Sequence, residues 1–265
     1  MTKTIKYKNK QINYSDSGQG NVLVLLHGFL ESLEMWDNFS AGLTKYFRVI
    51  SIDLPGFGKS DCIEDIHSME LMAKVVKFVL DSLQIKKCVM AGHSMGGYIT
   101  LVFADKFPET LKGICLFHSH ALADTPEVKL NRERSIEIIK SQRENFINRF
   151  IPDLFAPSNI KLFKHEINEL QKKAGKTSAK GIIAAMQGMK IREDKLEFLS
   201  ITDIPVFFIA GKQDPRVPID KVMAQAILPK HSEMLILGDV AHMGHIEDKE
   251  ATLKTLKYFV MKCFE

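Results

Sequence analysis

Along the chain, uninterrupted apolar runs of five to seven residues alternate with longer stretches in which apolar positions recur every three or four residues. The runs are VLVLL (22–26), RVISID (48–53), KCVMAG (87–92), GICLF (113–117), PVFFIAG (205–211) and EMLILG (233–238). Runs of this length without polar alternation suit strands covered on both faces, as in a parallel sheet. Ahead of them, KTIKYK and QINYSDS are separated by little more than Asn9 and Lys10 and predict an antiparallel hairpin, which brings the expected strands to eight. Helical patterns fall near 33–45, 68–83, 95–107 and 248–262. In the second of these, Leu71, Met72, Val75, Val76, Val79 and Leu83 form one apolar face. Strand–helix alternation of this kind builds βαβ units. Residues 121–200 break the alternation: they contain no convincing strand and three or four helical patterns, interrupted at Pro152, Pro157 and around Gly175. The expected architecture is an α/β core, with an eight-stranded mostly parallel sheet flanked by helices, in two parts, 1–120 and 201–265. A helical cap, 121–200, is inserted between its sixth and seventh strands.

Composition changes this picture only slightly. At 265 residues with 45% hydrophobic and 26% charged side chains, the chain can bury one large core and carries no long polar tract. The net charge of +4 is too small for the basic footprint of a nucleic-acid binder. It is also localised: residues 121–200 hold 15 basic against 11 acidic side chains, and the rest of the chain holds 21 of each. Arg132, Arg134 or Arg143 could draw anionic substrates to the cap, or could simply solvate helix faces. The opening MTKTIKYKNKQINY has no apolar run of signal-peptide length, no later run is long enough to span a bilayer, and the four cysteines form no CxxC pair. The expectation is a cytoplasmic chain with reduced thiols and neither a membrane nor a nucleic-acid partner. Nothing in the sequence sets an oligomeric state.

Chemistry enters at MAGHSMGGYITL (90–101), where Ser94 lies between Gly92 and Gly96. The spacing is G-x-S-x-G, with a strand before it and a helix after it. In such a turn the nucleophile adopts a strained backbone and flanking side chains would collide with the neighbouring strand and helix, so glycine is needed on either side. The turn lifts a hydroxyl above the strand ends beside a helix N-terminus, where free N–H groups favour developing negative charge. A glycine-flanked serine that only caps a helix is the plainer alternative. A phosphate-binding loop fits less well, because GHSMGG lacks a following Lys-Ser/Thr and GFGKS (56–60) lacks the leading glycine of that motif.

With LLHGF (25–29), DLPGFGKS (53–60), GKQDPRVP (211–218) and AHMGHIED (241–248) added, the whole chain resembles the α/β-hydrolase fold superfamily, in its cap-bearing serine esterase and lactonase-like branch. The resemblance implies Ser94 as nucleophile and a base in the loop after the last strand, where His242 and His245 compete. His242 is favoured because Glu247 follows it at the related spacing. Histidine, with an ordinary pKa of about 6.5, suits the removal of a serine proton at neutral pH. Asp214, past the seventh strand, is implied as the acid that orients the base, with Asp124 as the fallback after the sixth. Oxyanion donors are implied at the backbone N–H groups of Phe29 and Met95, with His27 bracing the first of these loops and His93 pointing away from the site.

Substrate-binding side chains are expected at His118, Phe146, Phe150 and Met186, with Leu154, Phe155 and Met189 also packing the cap. His118 and His120 have the spacing of a metal pair but no third ligand nearby, so no metal and no cofactor is implied. The expected activity is cleavage of a small to medium carboxylic ester or lactone through an acyl-enzyme. Hydrolases and lyases acting on carbon–carbon bonds share the triad and remain open, as does a non-catalytic ligand-binding scaffold. Serine in place of aspartate at position 94 argues against epoxide hydrolases and haloalkane dehalogenases.

Overall fold

The computed structural model describes residues 2–265. Eight strands form one sheet: β1 (Thr2–Tyr7), β2 (Lys10–Ser17), β3 (Val22–Leu26), β4 (Arg48–Ile52), β5 (Cys88–His93), β6 (Leu111–Phe117), β7 (Val206–Gly211) and β8 (Ser232–Leu237). Their order is β1-β2-β4-β3-β5-β6-β7-β8, antiparallel at the first two pairings and parallel thereafter. The hairpin turn falls at Lys8 and Asn9, both with positive φ, one residue earlier than expected. Helices α1 (Asp37–Ser40), α2 (Met69–Ser82), α3 (Met95–Lys106), α4 (Pro126–Phe150), α5 (Lys164–Ala174), α6 (Ala179–Lys190), α7 (Leu196–Ile201), α8 (Ile219–Ala226), α9 (Gly244–Glu247) and α10 (Lys249–Cys263) complete the fold. Among the described residues, no helix is long and apolar enough to cross a membrane.

Strand alternation explains the two layers around the sheet. Val24 and Leu26 of β3 join an apolar cluster with α2, α3 and the helices between β6 and β7. Leu23 and Leu25 face the other way, onto Trp36, Phe39 and α10. Side chains pointing to both faces are therefore buried, and this is why these strands carry continuous apolar runs. β8 departs from that expectation. It is the sheet edge, and its residues up to Ile236 are exposed or half-buried. The helix expected over 33–45 is also shorter, a 3-10 turn at Leu33–Trp36 running into α1.

The segment between β6 and β7 is helical. A 3-10 turn at Pro152–Leu154 follows α4, and Gly175 ends α5. Its apolar residues Ile136, Ile147, Leu154, Phe155 and Met186 belong to the same cluster as the sheet. Backbone hydrogen bonds stitch it to the core, from His67 N–H to Ala184 O (2.9 Å) and from His242 N–H to Leu154 O (2.9 Å). At Gly188 the α6 backbone comes so close to the His67 carbonyl that a Cβ would overlap it. We predict that Gly188→Ala costs about 2 kcal/mol of stability in urea unfolding, as overpacking at a fixed backbone contact does. Unchanged stability would mean that α6 moves freely on the core.

Candidate active site

Ser94 leaves β5 with φ 51° and ψ −112° and begins α3. A β-carbon-bearing residue adopts this backbone only when its surroundings over-determine it. Here they do: Ser94 N–H donates to Phe117 O (2.9 Å), and its carbonyl accepts from Ser119 Oγ (2.8 Å) and Gly97 N–H (2.9 Å). A Cβ on Gly92 would strike the Gly96 carbonyl, and one on Gly96 would lie 2.6 Å from Leu26 O. Leu30 (φ 63°) and His118 (φ 48°) are similarly left-handed, so β3, β5 and β6 each end in a constrained turn on the same edge of the sheet.

Asp214 is buried just beyond β7. Its Oδ1 accepts the N–H groups of Arg216 (2.8 Å) and Val217 (2.9 Å), and its Oδ2 accepts from Nδ1 of His242 (2.7 Å) and of His118 (3.3 Å). Burial alone would raise its pKa. The two histidines outweigh that cost and hold the carboxyl far below the usual carboxylate range. Because Nδ1 of His242 donates to Asp214, its Nε2 is left as the acceptor. Glu247 braces the loop that carries His242, its Oε1 taking Ala241 N–H (3.1 Å) and Met243 N–H (3.2 Å) and its Oε2 reaching Ala156 N–H (2.9 Å).

Ser94 and His242 share a cavity of about 600 Å³ with Phe29, Tyr98, Phe146, Phe150, Met186 and Met189. Phe150 stacks on Phe146 and meets Phe29 edge-on, giving an apolar floor. The N–H groups of Phe29 and Met95 find no backbone acceptor among the described residues. Met95 is the first residue of α3, where N–H groups have no partner within the helix. His27 ties its loop down, its Nδ1 against Gly28 O (2.7 Å) and its Nε2 accepting from Leu54 N–H (2.9 Å).

Residues 21–249 match the family model of the alpha/beta hydrolase fold. The chain belongs to that family. A 2-hydroxy-6-oxononadienedioate/2-hydroxy-6-oxononatrienedioate hydrolase of Escherichia coli K12 is 27% identical over 92% of this chain and 88% of its own. A thermophilic esterase from Thermogutta terrifontis, solved with malate bound, superposes with a TM-score of 0.92 at 29% identity over 98% of this chain and 97% of that one. The enol-lactonase of Burkholderia xenovorans LB400 has the same fold, with a TM-score of 0.91 at 20% identity over 98% and 100% of the two chains.

Within this alpha/beta hydrolase, Phe146, Phe150 and Met186 reach the cavity as expected, but His118 does not. It is fully buried behind Asp214, where it also accepts Gly244 N–H at Nε2 (3.2 Å). His118, Asp214 and His242 have ligand atoms within 4.8 Å of one another. Both ring nitrogens of His118 are already engaged in hydrogen bonds, however, so that cluster is a hydrogen-bonded set. His120 faces elsewhere, toward Tyr98 and Leu122 N–H. Asp124, the fallback acid, is taken by Arg132 and Arg192. Of the three cap arginines singled out, only Arg132 lines the cavity. Arg134 bonds Asn131 and Arg143 bonds Thr177 O. Arg149 and Arg216 line the cavity instead, Arg216 lying over the Phe150 ring. Helix α9 carries His245, which is not a cavity residue; it packs among Trp36, His93 and Phe117.

Burial lowers the pKa of His118 to about 4 and those of His120 and His245 to about 3. Each ring stays neutral in the fold while the unfolded chain binds a proton near pH 6.5. Stability therefore falls as pH drops below about 6.5, by roughly 1.4 kcal/mol per pH unit for each such histidine. We predict that His245→Leu loses about 2 kcal/mol less stability between pH 7 and pH 5 than the native chain, read by urea unfolding with the single tryptophan, Trp36, as reporter. Equal losses would show that His245 is protonated within the fold.

Proposed function

We propose that this alpha/beta hydrolase cleaves small to medium carboxylic esters or lactones through an acyl-enzyme on Ser94. The observation that carries the reading is the 2.7 Å bond from His242 Nδ1 to the buried Asp214 carboxylate, with the same imidazole lining the cavity that Ser94 enters. His242 Nε2 takes the Ser94 proton as Oγ attacks the substrate carbonyl, and Asp214 stabilises the imidazolium that results. The N–H groups of Phe29 and Met95 hold the oxyanion. When the tetrahedral adduct collapses, the C–O bond breaks and the alkoxide leaves with the proton from His242. Water, deprotonated by the same imidazole, then attacks the acyl-enzyme and releases the acid and free Ser94.

An apolar floor beside Ser94 supports an uncharged acyl group, and about 600 Å³ suits a small or medium substrate. Likeness to the Thermogutta esterase supports the same class. A second reading, hydrolysis of a carbon–carbon bond in an oxo-dienedioate, is favoured by the activity for which the Escherichia coli and Burkholderia vietnamiensis relatives are named. It ranks second because Phe29, Phe146 and Phe150 form an apolar floor beside Ser94 and Arg132 is already paired with Asp124, although Arg149 and Arg216 leave positive charge at the cavity.

With p-nitrophenyl acetate, Ser94→Ala and His242→Ala are expected to lower kcat/KM roughly ten-thousandfold, with folding intact by circular dichroism. Asp214→Asn should lose far more activity than Asp124→Asn; the opposite ranking would move the acid to β6. Across a series of p-nitrophenyl esters, kcat/KM should peak at short or medium acyl chains. Faster turnover of a 2-hydroxy-6-oxo dienedioate than of every ester and lactone tested would select the second reading.

A further inference from the structure

Behind Ser94, on the side away from the cavity, a second carboxylate–histidine pair is fully enclosed. His93 Nδ1 lies 2.9 Å from Glu31 Oε2, and both side chains are 1% exposed. The same Glu31 oxygen accepts Gly28 N–H (2.8 Å), while His93 Nε2 lies 2.9 Å from the carbonyl oxygen of His242. Gly28 adjoins Phe29, His93 adjoins Ser94, and the carbonyl belongs to the proposed base itself. One line of three hydrogen bonds thus joins the loop of the oxyanion donor, the elbow and the loop of the base.

The proton count follows from the partners. Carbonyl and carboxylate oxygens only accept, so His93 Nε2 carries a proton for His242 O, and the contact between Nδ1 and Oε2 holds another. The Gly28 N–H on Oε2 favours the ionised carboxylate, which leaves both protons on the ring. Burial opposes both charges. Their mutual attraction outweighs it, holding Glu31 at about 2 and His93 above its ordinary value. A neutral His93 would have one donor for two acceptors and would release either Glu31 or the His242 backbone.

We propose that His93 is a buried imidazolium paired with Glu31, and that the pair is a positioning device fixing the oxyanion loop and the His242 loop relative to Ser94. Neither residue lines the cavity, so neither touches substrate. A buried ion pair is a poor way to gain stability, since apolar side chains of like volume do as well. Its distinctive product is geometry. The inference rests on the reading of Ser94, His242 and Asp214 given above.

The wild-type enzyme labelled with ¹⁵N-histidine gives the direct readout: near neutral pH, His93, assigned by its loss in His93→Gln, should show two protonated ring nitrogens. Glu31→Gln keeps the shape and an acceptor for Gly28 but removes the charge. It is expected to lower kcat about a hundredfold, the scale of a small misplacement of catalytic groups, with KM little changed, in assays run where circular dichroism shows the variant folded, because removing one member of a buried pair also lowers stability. The double variant Glu31→Gln/His93→Gln should be no slower than the slower single one, as for two residues acting as a unit. A singly protonated His93 in the native enzyme, or native kcat in Glu31→Gln, overturns the proposal. Activity surviving in Ser94→Ala would instead overturn the reading of the site; an inactive Ser94→Ala beside a fully active Glu31→Gln removes the positioning role alone.

Discussion

A buried carboxylate stays ionised only if hydrogen-bond donors or a paired cation offset the loss of water, and Asp214 meets that condition with four hydrogen bonds. Much of the architecture around Ser94 follows from it. The backbone beyond β7 curls so that the N–H groups of Arg216 and Val217 face one carboxylate oxygen. β6 ends in the left-handed turn at His118, whose ring fills the space behind the other. The remaining approach is left for His242, whose ring is thereby held with its free nitrogen away from the acid. Glu247 then fixes the backbone on either side of His242, and the Leu154 carbonyl holds the N–H of His242 itself.

On the opposite side of Ser94, Glu31 is enclosed with far fewer donors. Its Oε2 takes His93 and Gly28 N–H, while its Oε1 has no protein partner among the described residues. Its charge therefore leans on the charge of His93. The two acids are solved differently, one by a cradle of four N–H donors and the other by a paired cation, yet both bear on the loop that carries His242. Between them, the elbow keeps its strained backbone because β6, through Phe117 O and Ser119 Oγ, holds both the N–H and the carbonyl of Ser94.

Where burial dictates residue type, the fold was legible in the sequence. Strands covered on both faces had to be apolar throughout, and the elbow had to be glycine on both sides, so these stood out. The EMLILG run predicts a strand covered on both faces, whereas β8 is a strand at the sheet edge, because an apolar run does not say which strand lies there. Helix α8 gave no strong signal: it is eight residues long between Pro218 and the turn before β8. Its place at the end of β6 predicts His118 in the cavity, but position at a strand end does not tell whether a side chain turns toward the cavity or, as here, toward the acid. The role of Glu31 needed a partner 62 residues away in sequence. The available clue was a charged residue inside the otherwise apolar LLHGFLES stretch.

If Ser94 is the nucleophile, as proposed, it carries the acyl group during turnover. Rapid mixing with p-nitrophenyl acetate, acid quenching and peptide mass analysis test it most directly. A burst of one p-nitrophenolate per chain and an acetyl group on the peptide that contains Ser94 are expected. Continued turnover with no acetylated peptide, or with the acetyl group on a different residue, would contradict it.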